Sequence, residues 1–249
     1  MTVLWFLVLG VYGLCATPLV MKARKLEEKG LAEERNEFLK RVAGNVVRRM
    51  FRLARVKLTI EGFENIPKEG AVLYTPNHQS IMDVAVMILM REPCGFVIKQ
   101  EAAKIPIVKT WMNILGCIFV DRDNPRKAAA AISAACDKIK EGKSMVLFPE
   151  GTRSKDGQVG EFKGGAFKIA EKTGVTIVPV AIEGTSKMWE EHHRIRKTEI
   201  CVKILPAIEN KGKTRHEIKA LAPVVRQQIV DALDSREAEI ADVKKGLAK

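Results

Sequence analysis

Seven short apolar runs, separated by stretches with helical patterning, constrain this chain more than anything else in it. The first, Val56-Lys57-Leu58-Thr59-Ile60, alternates like a half-buried strand, and Gly62 and Pro67 punctuate the stretch after it. Ala71 to Thr75, Cys94 to Ile98, Cys117 to Val120 and Met145 to Phe148 are short, nearly continuous apolar runs that read as buried strands. Thr176 to Ile182 and Glu199 to Ile204 complete the set. Helical patterns lie between them, at roughly 80–91, Ile105 to Leu115, Asn124 to Gly142 and Gly164 to Thr173, with Gly174 as a stop. Asn124 is a cap and Pro125 takes the first helical position. A last helix covers roughly 215–235, interrupted or kinked at Pro223, before a charged tail. Strands alternating with helices predict an α/β fold with a largely parallel mixed sheet flanked by helices. The 249 residues make one large domain, or one domain with an appendage, and no internal repeat divides them.

The appendage is the N-terminus. Thr2 to Met21 carries no charge and is almost wholly apolar. A bilayer core is spanned by about 20 apolar residues in a helix, although Thr17 and Pro18 weaken the last turn here. Lys22, Arg24 and Lys25 follow at once and nothing basic precedes, which places the remainder on the cytoplasmic side. A cleaved signal peptide is the competing reading, but the run lacks a basic leader and a small-x-small site. Residues 2–21 therefore read as an anchor that either spans the bilayer or lies in one leaflet.

Residues 22–57 hold 12 lysines and arginines against 5 glutamates. Phe38, Val42, Val46 and Met50 recur every fourth residue, with Leu39, Ala43, Val47 and Phe51 beside them. Arg41, Arg48, Arg49, Arg52 and Arg55 crowd near this stripe. A basic amphipathic helix over 24–54 fits a membrane surface; the alternative is a helix packed on the domain with a solvated basic face. The expected division is 1–57 as membrane-associated helices and 58–249 as the α/β domain.

The whole chain carries a formal charge of +12, which favours a partner bearing phosphates: nucleic acid, an anionic bilayer or a phosphorylated substrate. No nucleic-acid-binding motif is present, so the surplus is assigned to an anionic membrane surface and to phosphate. Cys15, Cys94, Cys117, Cys136 and Cys201 are scattered and odd in number, as free thiols in a reducing compartment would be. No pair has metal-ligand spacing, and His192-His193 lies in a charged stretch without companion ligands, so no metal is expected.

Four strand ends carry candidate chemistry. Asn77-His78-Gln79-Ser80-Ile81-Met82-Asp83 joins the strand at 71–75 to the next helix. If the chain bends between them, Asp83 can fix the tautomer of His78 and leave its other nitrogen free as a base. Ser80 with Asp83 equally fits a capping box, in which Asp83 serves the helix start. Phe148-Pro149-Glu150-Gly151-Thr152-Arg153 follows another buried strand. Arg153 offers a planar fork for phosphate, Gly151 lets backbone amides approach an anion, and Thr152 can donate a hydroxyl; a surface turn with an incidental Glu150–Arg153 pair is the plain alternative. Lys99 and Arg122 sit just past two further strands. In an open α/β sheet all four ends lie at the ligand-binding edge.

These blocks resemble the glycerolipid acyltransferases. His78 with Asp83 is similar to the family's His-x-x-x-x-Asp box, and Phe148 through Ser154 to its Phe-Pro-Glu-Gly-Thr-Arg-Ser box. Gly116 to Arg122 resembles its Gly-x-x-Phe-Val-x-Arg segment, and Val178-Pro179-Val180 its Val-Pro-Val box. The order matches too, over roughly 70–185, with bacterial 1-acylglycerol-3-phosphate acyltransferases the nearest members. Two departures fall where Lys99-Gln100-Glu101-Ala102 replaces Lys-x-Glu-Leu and where Lys109 stands in place of a glycine; they bear on contacts to the acyl donor.

The resemblance implies acyl transfer from acyl-CoA or acyl carrier protein to lysophosphatidic acid, giving phosphatidic acid at the cytoplasmic face of the membrane, with no cofactor. It implies His78 and Asp83 as the catalytic pair and Glu150, Gly151, Thr152 and Arg153 as the glycerol-phosphate site, with Lys99 and Arg122 as further phosphate contacts and Lys163 nearby. Two other readings stay open: an acyltransferase for another lysophospholipid, and a non-catalytic protein that binds anionic lipid.

Overall fold

The structure, a computed structural model, describes residues 2–15, 17–154 and 156–247. All seven expected strands form: β1 (Lys57–Glu61), β2 (Val72–Pro76), β3 (Gly95–Lys99), β4 (Ile118–Val120), β5 (Met145–Val146), β6 (Thr176–Glu183) and β7 (Glu199–Ile204). They make one sheet in the order β1-β7-β6-β2-β5-β3-β4. The five strands from β6 to β4 run parallel, β7 turns antiparallel to β6, and β1 pairs parallel to β7.

Period-2 alternation in the buried strands feeds two separate cores. Tyr74, Phe96 and Val178 point into one; their neighbours Leu73, Val97 and Ile177 point into the other. Helices α1 (Thr2–Cys15), α3 (Ala32–Leu53) and α4 (Met82–Met87) cover the first face, contributing Trp5, Val47, Phe51 and Val86. Helices α6 (Pro125–Lys140), α7 (Gly165–Thr173) and α9 (Arg215–Leu247) cover the second, through Ala135, Phe167 and Val225. Burial on both faces explains why these strands read as continuous apolar runs.

The cap of α6 is as expected: the Asn124 side chain accepts N–H bonds from Arg126 and Lys127. The last helix is longer than the expected 215–235. It runs unbroken through Pro223 from Arg215 to Leu247, so the proline does not interrupt it, and the tail continues the helix. Packing of Ile218, Val225 and Ile229 into the second core holds both sides of the proline in place.

The N-terminal apolar run is divided. α1 ends at Cys15 and α2 (Thr17–Glu28) begins two residues on; Ala16, inside the expected anchor, lies outside the described residues. Among the described residues no helix is long and apolar enough to cross a membrane. Trp5 is buried and donates its indole N–H to the Met50 carbonyl at 3.1 Å, while Val3, Leu7 and Val11, one helical turn apart, face outward.

The stripe of α3 is turned to protein. Phe38 and Leu39 pack with Val20, Ala23 and Ile114 of α5 (Pro106–Ile114), and Val47 and Phe51 reach the first core. Arg41, Arg48, Arg49 and Arg52 stay exposed. That corrects the apolar half of the membrane-surface reading of this helix: its apolar face meets the domain, and only its basic face is open. Cys94, Cys117, Cys136 and Cys201 are free thiols.

Candidate active site

The carboxyl ends of β2, β5, β3 and β4 share one edge, as parallel pairing requires. β2 closes its ladder with a side chain. As the main chain turns away after Pro76, the Asn77 amide pairs with Ile182 of β6, donating to its carbonyl at 2.9 Å and accepting its N–H at 2.7 Å. Asn77 thus stands in for one more strand residue and fixes where the next one starts.

That next residue is His78. Its ring stacks on Phe148 with centroids 4.0 Å apart and planes 25° from parallel. Nδ1 lies 2.8 Å from Oδ2 of Asp83, so the chain makes the bend that the five-residue spacing demanded. The same oxygen accepts the N–H groups of Gln79 at 2.7 Å and Ser80 at 2.8 Å. Ser80 Oγ accepts the Met82 N–H at 3.0 Å. Helix capping and histidine orientation, two competing readings of the sequence, coexist here through one carboxylate. Asp83 is wholly buried, with all three bonds on Oδ2 and none on Oδ1 among the described residues. An acceptor on Nδ1 places the ring hydrogen there and leaves Nε2 as the lone-pair nitrogen.

Glu150 bridges two stretches of main chain. Oε1 accepts the His78 N–H at 2.7 Å and Oε2 accepts the Gly160 N–H at 2.9 Å. Its side chain is buried, and burial pushes its pKa up, with the two N–H donors pulling the other way. A Cβ on Gly160 would stand 2.9 Å from Oε2, so a side chain there would displace the Glu150 carboxylate. Arg226 of α9 holds that segment by donating to the carbonyls of Gly160 and Val159 at 2.9 and 2.7 Å. Ser154 N–H donates to the His78 carbonyl at 2.8 Å, tying the second motif to the first.

Gly151 adopts φ +71°, a left-handed conformation that favours glycine, and Lys163 lies along it; a Cβ would meet Nζ at 3.3 Å. Lys163 N–H donates to the Pro149 carbonyl at 2.9 Å. Thr152 is exposed, and the half-exposed Arg153 donates from Nη1 to Oε1 of Glu190 at 3.0 Å. Lys99 is exposed and pairs with Glu101 at 2.9 Å. The Arg122 guanidinium is at the rim, where the adjoining protein lowers its pKa. β3 and β4 lie two and three strands from β2, which puts Lys99 and Arg122 roughly 10 and 14 Å along the edge from His78. His78 thus bonds Asp83 and Glu150 directly, Arg153 reaches the same turn only through Glu190, and Lys163 lies along Gly151, while Lys99 and Arg122 stand apart on the rim.

Sequence reasoning missed Asn77, Gly160 and Glu190 as parts of this assembly. Asn77 could have been suspected from its position at the end of a buried strand. Glu190, between Trp189 and Glu191 in a charged stretch, gave no signal. Among the described residues no group of His, Cys, Asp and Glu could hold a metal ion.

A parallel sheet whose edge presents a carboxylate-held imidazole beside cations is an arrangement that can take up a proton next to a bound anion. Comparison with known proteins gives the class its name. The family described as Acyltransferase matches residues 57–183, more than half of the chain, and the chain belongs to it. A 1-acyl-sn-glycerol-3-phosphate acyltransferase of Borreliella burgdorferi is 35% identical over 186 residues, 74% of each protein. A chloroplastic one from Arabidopsis thaliana is 39% identical over 133 residues, 53% of this chain but only 37% of that longer protein. The crystal structure of PlsC, the 1-acyl-sn-glycerophosphate acyltransferase of Thermotoga maritima, superposes with a TM-score of 0.75 at 26% identity, covering 92% of this chain and 95% of that one.

Proposed function

We propose that this acyltransferase moves an acyl group from a thioester to the free hydroxyl of 1-acylglycerol-3-phosphate, giving phosphatidic acid. The single observation that carries the reading is His78: Nδ1 is held by a buried, triply donated carboxylate, and the turn bearing Arg153 is bonded to the same stretch. The names of the relatives in Borreliella, Arabidopsis and Thermotoga support the choice of acceptor.

In this reading Nε2 of His78 takes the hydroxyl proton as the oxygen attacks the thioester carbonyl. The C–S bond then breaks, and His78 returns the proton to the departing thiolate. Asp83 stabilises the imidazolium between the two transfers. Arg153 and Thr152 receive the acceptor's phosphate, Gly151 gives their turn its left-handed bend while its own N–H is held by the Phe148 carbonyl, Glu150 holds the frame, and Lys99 and Arg122 contact phosphate along the rim. The donor is acyl-CoA or acyl carrier protein.

The protein works at the cytoplasmic membrane face, lying in one leaflet. Support comes from the outward stripe Val3, Leu7 and Val11 on α1 and the open arginines of α3. Replacing all three stripe residues by serine is expected to weaken binding to anionic vesicles; unchanged binding would remove α1 from the membrane contact. The reaction itself is tested by offering purified protein lysophosphatidic acid with either donor at several chain lengths. Phosphatidic acid is the expected product, and its absence with every donor refutes the proposal.

A further inference from the structure

The main-chain donors of the histidine turn can be followed one by one. His78 N–H goes to Glu150, Gln79 and Ser80 to Asp83, Ile81 to Oε1 of Glu190, Met82 to Ser80 Oγ, and Asp83 to the Ser80 carbonyl. No N–H between 78 and 83 is left without a partner. Three carboxylates do most of this, and the third, Glu190, comes from the chain beyond α8 (Thr185–Met188), 110 residues from Ser80.

Glu190 makes three contacts. Oε2 accepts the Ser80 hydroxyl at 2.5 Å. Oε1 accepts the Ile81 N–H at 2.8 Å and the Arg153 Nη1 at 3.0 Å. One oxygen is therefore shared by the histidine turn and by the guanidinium assigned to the acceptor's phosphate. An ordinary exposed ion pair would contribute little. Here the carboxylate side chain is only 22% exposed and Ser80 is fully buried, so the contact ties a buried turn to a rim cation.

The geometry has a further consequence. A guanidinium offers two faces to oxyanions, and Glu190 occupies Nη1. The Nε–Nη2 edge, which suits two parallel bonds to one phosphate, makes no hydrogen bond among the described residues. We propose that Glu190 is a positioning residue that sets Arg153 relative to His78. It orients the guanidinium with its Nε–Nη2 edge toward the acceptor's phosphate and fixes the turn that carries the base, so phosphate recognition and base placement share one anchor. The proposal rests on the acyl-transfer reading for the identity of the phosphate.

The test compares full-length Glu190→Ala, Glu190→Gln, Arg153→Ala and the Glu190→Ala/Arg153→Ala double variant. Each is assayed with lysophosphatidic acid and the thioester that the wild-type protein uses. Glu190→Ala is expected to lower kcat and raise KM for lysophosphatidic acid, together about 10- to 100-fold in kcat/KM, with KM for the thioester nearly unchanged. Glutamine can still accept the Ile81 N–H and bond Ser80, so Glu190→Gln should restore most of the turnover. The KM effects of Glu190→Ala and Arg153→Ala should not add, because one acts through the other.

Amide hydrogen exchange gives a readout that needs no turnover. Exchange across 79–82 should quicken in Glu190→Ala, stay slow in Glu190→Gln and Arg153→Ala, and leave the sheet strands protected in all. Wild-type kinetics in Glu190→Ala, equal losses in the alanine and glutamine variants, additive KM effects, or unchanged exchange at 79–82 would each overturn the proposal. A wild-type protein that makes no phosphatidic acid would instead overturn the acyl-transfer reading, and exchange would still decide whether Glu190 holds the turn.

Discussion

The two halves of the active site are built in opposite ways. The histidine stretch is buried but for the imidazole and the Ile81 side chain, and its donors are all satisfied by carboxylates and turns. The cationic half is exposed: Arg153 is pinned by one carboxylate, Lys99 by one neighbour, and Thr152 and Arg122 lie open. A base must keep its lone pair within a few tenths of an ångström of a reacting proton, which rewards a rigid mount. A phosphate on a lipid arrives with its own reach, so its contacts tolerate long side chains at the rim. Damage to the first half should therefore fall on turnover, and damage to the second on affinity.

The sharpest way to break this contrast is at His78. His78→Ala should lower kcat by about 10²- to 10⁴-fold, with equilibrium binding of lysophosphatidic acid nearly unchanged. Arg153→Ala should act in the other sense, raising KM for lysophosphatidic acid by the loss of a charge-assisted contact of about 1.5–3 kcal/mol. If Arg153→Ala instead left KM alone and lowered only kcat, the division into mount and rim would fail.

Glu150→Gln sharpens the comparison from the side of stability. An amide cannot accept from both His78 and Gly160, so one donor loses its partner at a cost of about 1–3 kcal/mol in a chemical unfolding titration. The pH dependence has a definite sign. Burial raises the Glu150 pKa, so its share of stability is full below the ordinary glutamate value and is lost as pH rises through the raised one. Urea midpoints across that window should show a shallower loss in Glu150→Gln than in the wild type. The smallest effect is expected at Lys99, exposed and already paired with Glu101; Lys99→Ala should change KM for either substrate by no more than about threefold, in line with exposed ion pairs.

Much of this was legible in the sequence, and the reasons differ by element. The inner strands could be read because burial on both faces demands continuous apolar runs, β1 because its half-buried pattern alternates, and turn residues bound them. His78, Asp83 and the Glu150–Arg153 turn could be placed at one edge because parallel strands put their carboxyl ends together. The direction of β7 was not legible, since an apolar run has no sign. Nor was the partner of α3: periodicity shows that Phe38, Leu39, Val47 and Phe51 share a face, but not whether lipid or protein covers it. The N–H partners of Glu150 were not legible because a motif names residues without naming partners; those of His78 and Gly160 hold its oxygens. Glu190 was invisible because its partners lie 37 to 110 residues away.

Catalysis in this reading depends on His78 and Asp83 acting as one unit, and a kinetic cycle tests that directly. Turnover is measured for His78→Ala, Asp83→Asn and the double variant, alongside equilibrium binding of lysophosphatidic acid. Asparagine at 83 can present an amide N–H to Nδ1 and favour the wrong tautomer, so both single variants should lose most of kcat, and the double variant should be little worse than His78→Ala alone. Binding should stay close to wild type in all three. An active His78→Ala protein, or losses that multiply in the double variant, would contradict the account.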